Sequence, residues 1–312
     1  MAGPRNLDRR QFVTRGALAT VAVAACSRGR AEGPAAAAGS SAQMPAAEPP
    51  TPPAEPGIVR IASVKTAVEG NLLPTLIERF EHASQYRVRL TTGVQVYDLA
   101  RDGKVDLVVS HYGHKDAEAF VLDGAGEWPR TIFSNQMALV GPPSDPAHVR
   151  GLEDLGEAFR RIATTRSKFV MNDIDGVHYL TEILWNAAGK PDRTGWMLDE
   201  RASKDGAIER ASELGAYALW GLTPFLRLDG FKPLALEPLV LADPLLQRMM
   251  VSIVVKPSAA RRVNAAGAAA FQMHLLGPET QAAIRTIRYP GRQVVSWVPA
   301  GRHNRTAILP KT

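Results

Sequence analysis

Histidines and acids are the residues in this chain whose types and spacing suit ligand or metal chemistry. His111 and His114 lie three apart, while Asp173, Asp175 and His178 crowd into one short stretch. Imidazole and carboxylate are common transition-metal ligands, so His111, His114, His178 and Asp175 form a candidate donor set. Spacing alone does not select a metal, and no metal or cofactor is assigned. The competing reading of Asp173 and Asp175 is structural, because aspartate caps helix N-termini and a helix pattern begins at Val177. Motifs that would carry catalysis are missing: there is no GxSxG, HExxH or GxxxxGK[ST], and no GxGxxG after a strand. The single cysteine, Cys26, lies near the N-terminus, without a CxxC partner. Catalysis is not expected.

The elements that must position these residues alternate along the chain. Ile58-Val59-Arg60-Ile61-Ala62 is a β-branched run, and Leu72, Leu73, Leu76, Ile77 and Phe80 recur on one helical face. Strands are expected at 87–90, 105–109 and 133–140, with helices at 96–101 and 116–122 between them. The pattern then restarts with helices at 152–162, 177–188 and 207–214 and strands at 168–171 and 216–219. A strong strand run at 250–255 precedes helices at 259–276 and 279–287. This order argues for α/β architecture, a parallel sheet with helices on both faces. Trp128, Trp185 and Trp220 are expected in cores or between lobes.

Composition bounds the partners. Of 312 residues, 45% are hydrophobic and 22% charged, which excludes wholesale disorder. The net charge of +6 is uneven. Arg5, Arg9, Arg10 and Arg15 against Asp8 put half of it in the first 25 residues. The remaining +3 is too mild to argue for nucleic acid. Two adjacent arginines precede a weakly apolar run at 16–25, too short to span a bilayer. That segment resembles a twin-arginine leader, and Val23-Ala24-Ala25-Cys26 resembles a lipobox, which implies cleavage before Cys26 and its lipidation. Residues 27–56 hold nine Ala and seven Pro with no aromatic residue, a composition that reads as a disordered spacer.

Several blocks then line up with one family. Lys104-Val105-Asp106-Leu107-Val108-Val109-Ser110-His111, with Glu118-Ala119-Phe120-Val121-Leu122-Asp123-Gly124, is similar to its GxADVLLVH…EExFVxxG region. Ser134-Asn135-Gln136-Met137-Ala138-Leu139-Val140-Gly141-Pro142 resembles its YNDFVLVGP strand. His178, followed by Leu184-Trp185-Asn186-Ala187-Ala188-Gly189, resembles its H…LWxxAG helix. Gly215-Ala216-Tyr217-Ala218-Leu219 and Ala242-Asp243-Pro244-Leu245-Leu246 match two further blocks in order. The family is the tungstate-binding proteins of ABC importers.

The resemblance implies a two-lobed type II periplasmic-binding-protein fold, with mixed, mostly parallel sheets and helices on both faces. The implied organisation is a signal at 1–26, a linker at 27–56 and a solute-binding domain at 57–312. Lobe 1 would comprise about 57–140 plus 250–312, and lobe 2 about 141–249. The implied function is a monomeric, lipid-anchored protein of the periplasm or cell envelope that binds a small oxyanion and delivers it to an inner-membrane ABC permease. The alternatives are a small organic solute as ligand, or a sensory module that keeps the fold without transport.

The family holds its oxyanion with a TTTS loop and an RxDxSGTH loop. Here the first reads Ser63-Val64-Lys65-Thr66 and the second Met171-Asn172-Asp173-Ile174-Asp175-Gly176-Val177-His178. An arginine position is Met171, and two hydroxyl positions are Asp175 and Val177. Both loops follow strands and precede helices, where doubly wound sheets bind ligands. Ser63, Lys65, Thr66, Asn135, Asp173, Asp175 and His178 are therefore the expected ligand-binding residues, with Cys26 as the lipidation site.

Overall fold

The structure is a computed structural model in which residues 55–259 and 262–300 are described. The chain divides into residues 1–48 and 49–312, and the described residues all fall in the second unit. The leader, Cys26 and most of the Ala/Pro-rich segment lie outside the described residues. No helix among the described residues is long and apolar enough to cross a membrane.

The first half of the unit runs β1 (Ile58–Ser63), α1 (Lys65–Glu69), α2 (Leu72–Ala83), β2 (Arg87–Thr92), α3 (Val96–Arg101), β3 (Leu107–His111), α4 (Lys115–Leu122) and β4 (Arg130–Gly141). Next come α5 (Leu155–Thr164), β5 (Phe169–Val170), α6 (Asp175–Ala187), β6 (Met197–Leu198), α7 (Asp205–Leu214), β7 (Ala218–Gly221), α8 (Leu222–Phe231) and β8 (Glu237–Val240). A 3-10 turn at Pro244–Leu246 leads into β9 (Gln247–Val254), followed by α9 (Ala265–Leu276), α10 (Pro278–Ile284) and β10 (Trp297–Pro299).

The strand order is β10-β4-β9-β3-β1-β2, with β7 and β8 also pairing to β4. Parallel pairing joins β1 to β2 and to β3, and β5 to β6. The long strands β4 and β9 pair antiparallel with their neighbours and with each other. The sheet is mixed as expected but less parallel than the alternating pattern implies. A chain that crosses between two cores and returns must run its two crossing strands in opposite directions.

β4 is the spine of the molecule. Its first part, Arg130 to Gln136, pairs with β9, and its second, Met137 to Gly141, pairs with β7 and β8. The register changes partner at Gln136/Met137, which separates the cores. On one side, Val59, Leu73, Phe80, Val109, Phe133, Met250 and Phe271 pack together, with a satellite around Tyr97 and Phe120. On the other, Phe159, Phe169, Met171, Val177, Leu184 and Trp196 form one cluster and Ala218, Leu222, Phe225 and Leu226 a second. Each such fully buried side chain contributes about 1.5–3 kcal/mol relative to exposure.

Polar contacts fix the sheet that carries the functional end. Asp106 is fully buried, and Arg60 grips it through its backbone amide at 2.7 Å, Nε at 3.2 Å and Nη2 at 2.5 Å. The Asn264 amide donates to the same carboxylate at 2.9 Å, and the Asn264 side chain caps α9 through Gly267. β1, β3 and the start of α9 thus share one charge-assisted node. α6 is tied down at its outer face, where Arg193 makes a two-pronged contact with Glu182 at 2.8 and 2.6 Å and lies 3.8 Å over the Trp185 ring. Trp185 and Trp220 pack on the cores as expected. Trp128 does not: it is 78% exposed.

Candidate functional site

The carboxyl ends of β1 and β3 and the amino end of β9 meet at one edge of the first core. Ser63 pairs with Val109, His111 with Met250, and Arg248 with Asn135. In a pleated sheet, directly paired residues and those two apart share a face. Ser63, His111, Arg248 and Asn135 therefore stand on one face of adjacent strands. Arg248 and Asn135 also mark the place where β4 changes partners.

The polar groups here are poorly satisfied. Asn135 is 4% exposed, and its amide oxygen is buried without a hydrogen-bond partner. The Nδ1 atom of His111 is likewise buried and unpartnered, as is the Oε1 atom of Gln247 on the opposite face of β9. Buried polar atoms are normally paired, so a cluster of exceptions in one place calls for an explanation. Burial, with the positive charges of Arg248 and His114 nearby, pushes the His111 imidazolium down to about 4, so this ring is neutral at physiological pH. Arg248 is half-buried and makes no ion pair or side-chain hydrogen bond among the described residues; desolvation lowers its pKa.

α6 approaches this face from the other core. Its N-cap position is Ile174, and no side chain caps it. The amides of Val177 and His178 both donate to the Ile174 carbonyl at 2.8 Å, while the first two helical amides, of Asp175 and Gly176, have no acceptor one turn back. A Cβ at Gly176 would lie 3.5 Å from Nη2 of Arg248 and 3.8 Å from its Cζ. The uncapped end of a 13-residue helix, where the macrodipole is positive, thus sits against the Arg248 guanidinium. A second contact between the halves joins Glu69 of α1 to Arg227 of α8 at 3.9 Å, with Arg227 also held by Asp205 at 2.7 Å.

The expected site residues are placed as follows. Ser63 is fully buried, its hydroxyl donating to the Val64 carbonyl at 3.1 Å. Lys65 is exposed at the first position of α1, and Thr66 is half-buried beside it. Asp173 and Asp175 are exposed, and neither caps α6; the extended backbone of Ile174 occupies that position and places Asp175 inside the first turn. His178 faces acids of its own half, with Asp173 at 3.6 Å and Glu182 at 3.9 Å. The structure brings together Asn135, His111 and the Gly176 end of the second loop, with Arg248 between them.

The donor set of His111, His114, His178 and Asp175 does not assemble. His114 turns back to accept from the Asp116 amide at 3.3 Å and caps α4. No group of three or more His, Cys, Asp or Glu side chains able to hold a metal occurs among the described residues. A groove of about 500 Å³ lined by Tyr112, His114, Leu122 and Trp128 lies nearby, but its walls are mainly apolar and none of the unpaired groups opens into it. Sequence reasoning missed Arg248 and Gln247. The signal available was a polar pair directly ahead of the apolar run from Met249 to Val255.

No known protein-family profile matches the chain. It is 28% identical over 241 residues to a Haloferax volcanii protein named "putative ABC transporter anion-binding protein", covering 75% of this chain and 70% of that one. It is 26% identical over 234 residues to the tungstate-binding protein TupA of Peptoclostridium acidaminophilum, covering 73% and 80%. The TupA structure from Desulfovibrio alaskensis G20 superimposes with a TM-score of 0.66 at 22% identity, over 78% of this chain and 99% of that one. The fold is that of the type II periplasmic binding proteins. The chain resembles their tungstate-binding members, with a divergent second loop in which Met171, Asp175 and Val177 stand where the resemblance places arginine and two hydroxyl residues.

Proposed function

We propose that this chain is the extracytoplasmic binding component of an ABC importer and takes a small oxyanion of the tungstate or molybdate type. The site is the cleft between the 63–66 and 173–178 loops, floored by Asn135 on β4. One observation carries this reading: the uncapped N-terminus of α6 lies against Arg248 where β4 passes between the cores, beside the buried and unpartnered atoms of Asn135 and His111. Helix amides and a guanidinium supply positive potential, and Ser63, Thr66 and the Asn135 amide supply neutral hydrogen bonds. An oxyanion seated there touches both halves and favours the closed state by its differential affinity. Lys65 at the rim adds a solvated charge that steers anions inward, and Asp175 partly offsets it.

The names of the similar proteins support an anion as ligand and a permease as partner. The remaining parts of the reading are a lipid anchor at Cys26, a periplasmic location, a monomeric state, and lobes at about 57–140 plus 250–312 and about 141–249. Equilibrium dialysis of the purified chain against tungstate, molybdate, sulfate and phosphate tests the ligand class. One equivalent of tungsten or molybdenum retained per chain is expected. Retention no greater than in a protein-free chamber would overturn the proposal.

A further inference from the structure

The 173–178 loop carries no arginine, and the position where the resemblance places one is Met171. Met171 is 2% exposed and lies in the core cluster with Phe159, Phe169 and Val177. That position points into packed hydrocarbon in this chain, so charge for an anion must come from elsewhere. Lys65 is exposed and at the rim.

Arg248 is the cation that the fold places inside. Other arginines of the domain have evident partners: Arg60 has Asp106, Arg193 has Glu182, Arg210 has Glu200, and Arg227 has Asp205. Arg248 has neither carboxylate nor carbonyl among the described residues, although it is half-buried. A desolvated guanidinium without a counter-charge is unfavourable, and ligand sites are where folds retain one. Its surroundings are those of a receptor: Gly176 close enough that an added Cβ would lie 3.5 Å away, Asn135 directly opposite with an unpartnered amide oxygen, and His111 one strand away with an unpartnered ring nitrogen. An amide and a neutral imidazole can each turn a donor toward a ligand oxygen.

Resting on the oxyanion reading above, we propose that Arg248 is the residue that carries positive charge to the ligand. It enters from β9 and replaces the arginine that the second loop lacks. Its planar fork donates two parallel hydrogen bonds to two oxygens of the anion, and the α6 amides at Asp175 and Gly176 meet the others. Because β9 begins where β4 passes between the cores, the charge is anchored at the crossing itself. A bound anion then links β9 to α6 directly.

The test uses the full chain with tungstate as probe, in calorimetry and in melting scans, on wild type, Arg248→Gln, Arg248→Lys and Lys65→Ala. Arg248→Gln is expected to weaken tungstate at least 100-fold, and Arg248→Lys about 10-fold or more, because charge survives but the fork does not. Lys65→Ala should lose less than threefold. Without ligand, Arg248→Gln should melt at or above the wild-type temperature, since it removes an unpaired, half-buried charge. A ligand-free melting temperature well below wild type would mark Arg248 as structural and overturn the inference. Tungstate binding by Arg248→Gln within threefold of wild type would overturn it while leaving the oxyanion reading intact. No binding of tungstate by the wild type would overturn both.

Discussion

Acidification should loosen this protein through His111. The ring is buried at the end of β3 with Arg248 and His114 as positive neighbours, and its folded-state pKa is about 4 against 6.5 when unfolded. A depressed histidine binds protons less well in the folded state, so its contribution to stability is fully present above about pH 6.5 and is lost as pH falls toward 4. Integrating between those values gives a loss of ~2.5 kcal/mol by pH 4.5, from 1.36 kcal/mol per pKa unit. Urea unfolding of wild type and His111→Gln at a series of pH values from 7.5 to 4.5 isolates the effect. The gap between the two stabilities should change by that amount across the range, with wild type losing more. Saturating oxyanion should shrink the wild-type slope, because negative charge beside Arg248 makes an imidazolium less unfavourable. Parallel curves for the two proteins would refute the placement of His111 in a desolvated, cationic environment.

Other expectations follow from single contacts. Asp106→Ala orphans Arg60 and the Asn264 amide and should cost about 3 kcal/mol in urea unfolding. Met171→Arg introduces the arginine that the resemblance implies at a position that is core here; it should lower stability by roughly 2–4 kcal/mol without raising tungstate affinity in calorimetry. Gly176→Ala places a methyl at ordinary contact distance, 3.5 Å from Arg248, so melting should be unchanged while tungstate binding weakens about tenfold. Gly70→Ala would press on Trp297 Nε1 at 2.8 Å and should cost about 1–2 kcal/mol with a shift in tryptophan fluorescence.

Long periodic segments were legible in the residues alone. The face of Leu72, Leu76 and Phe80 became α2, and the alternation at Arg87-Val88-Arg89-Leu90 became β2, because their patterns match one period and bury one side. Elements with contrary punctuation were hidden. α8 contains Pro224 and Gly230, yet Pro224 lies in the first turn, where no backbone donor is needed. β8 carries Pro238, and α1 is only five residues long. The second loop was located by its glycine and histidine, but its cap was not: tertiary packing puts Ile174 there and leaves both aspartates in solvent. Arg248 escaped notice for a geometric reason. The apolar run placed the strand start at Met250, three residues late, and only the pairing with Asn135 shows which face Arg248 occupies.

The most direct measurement is anomalous diffraction at a tungsten absorption edge from crystals of this protein grown with tungstate. The expected result is a single strong peak between the N-terminus of α6 and β9, within hydrogen-bond distance of the Arg248 guanidinium and the Gly176 amide. A peak at another place, or none in crystals where the protein is otherwise ordered, would contradict the assignment of this chain as an oxyanion-binding protein with its site at that crossing.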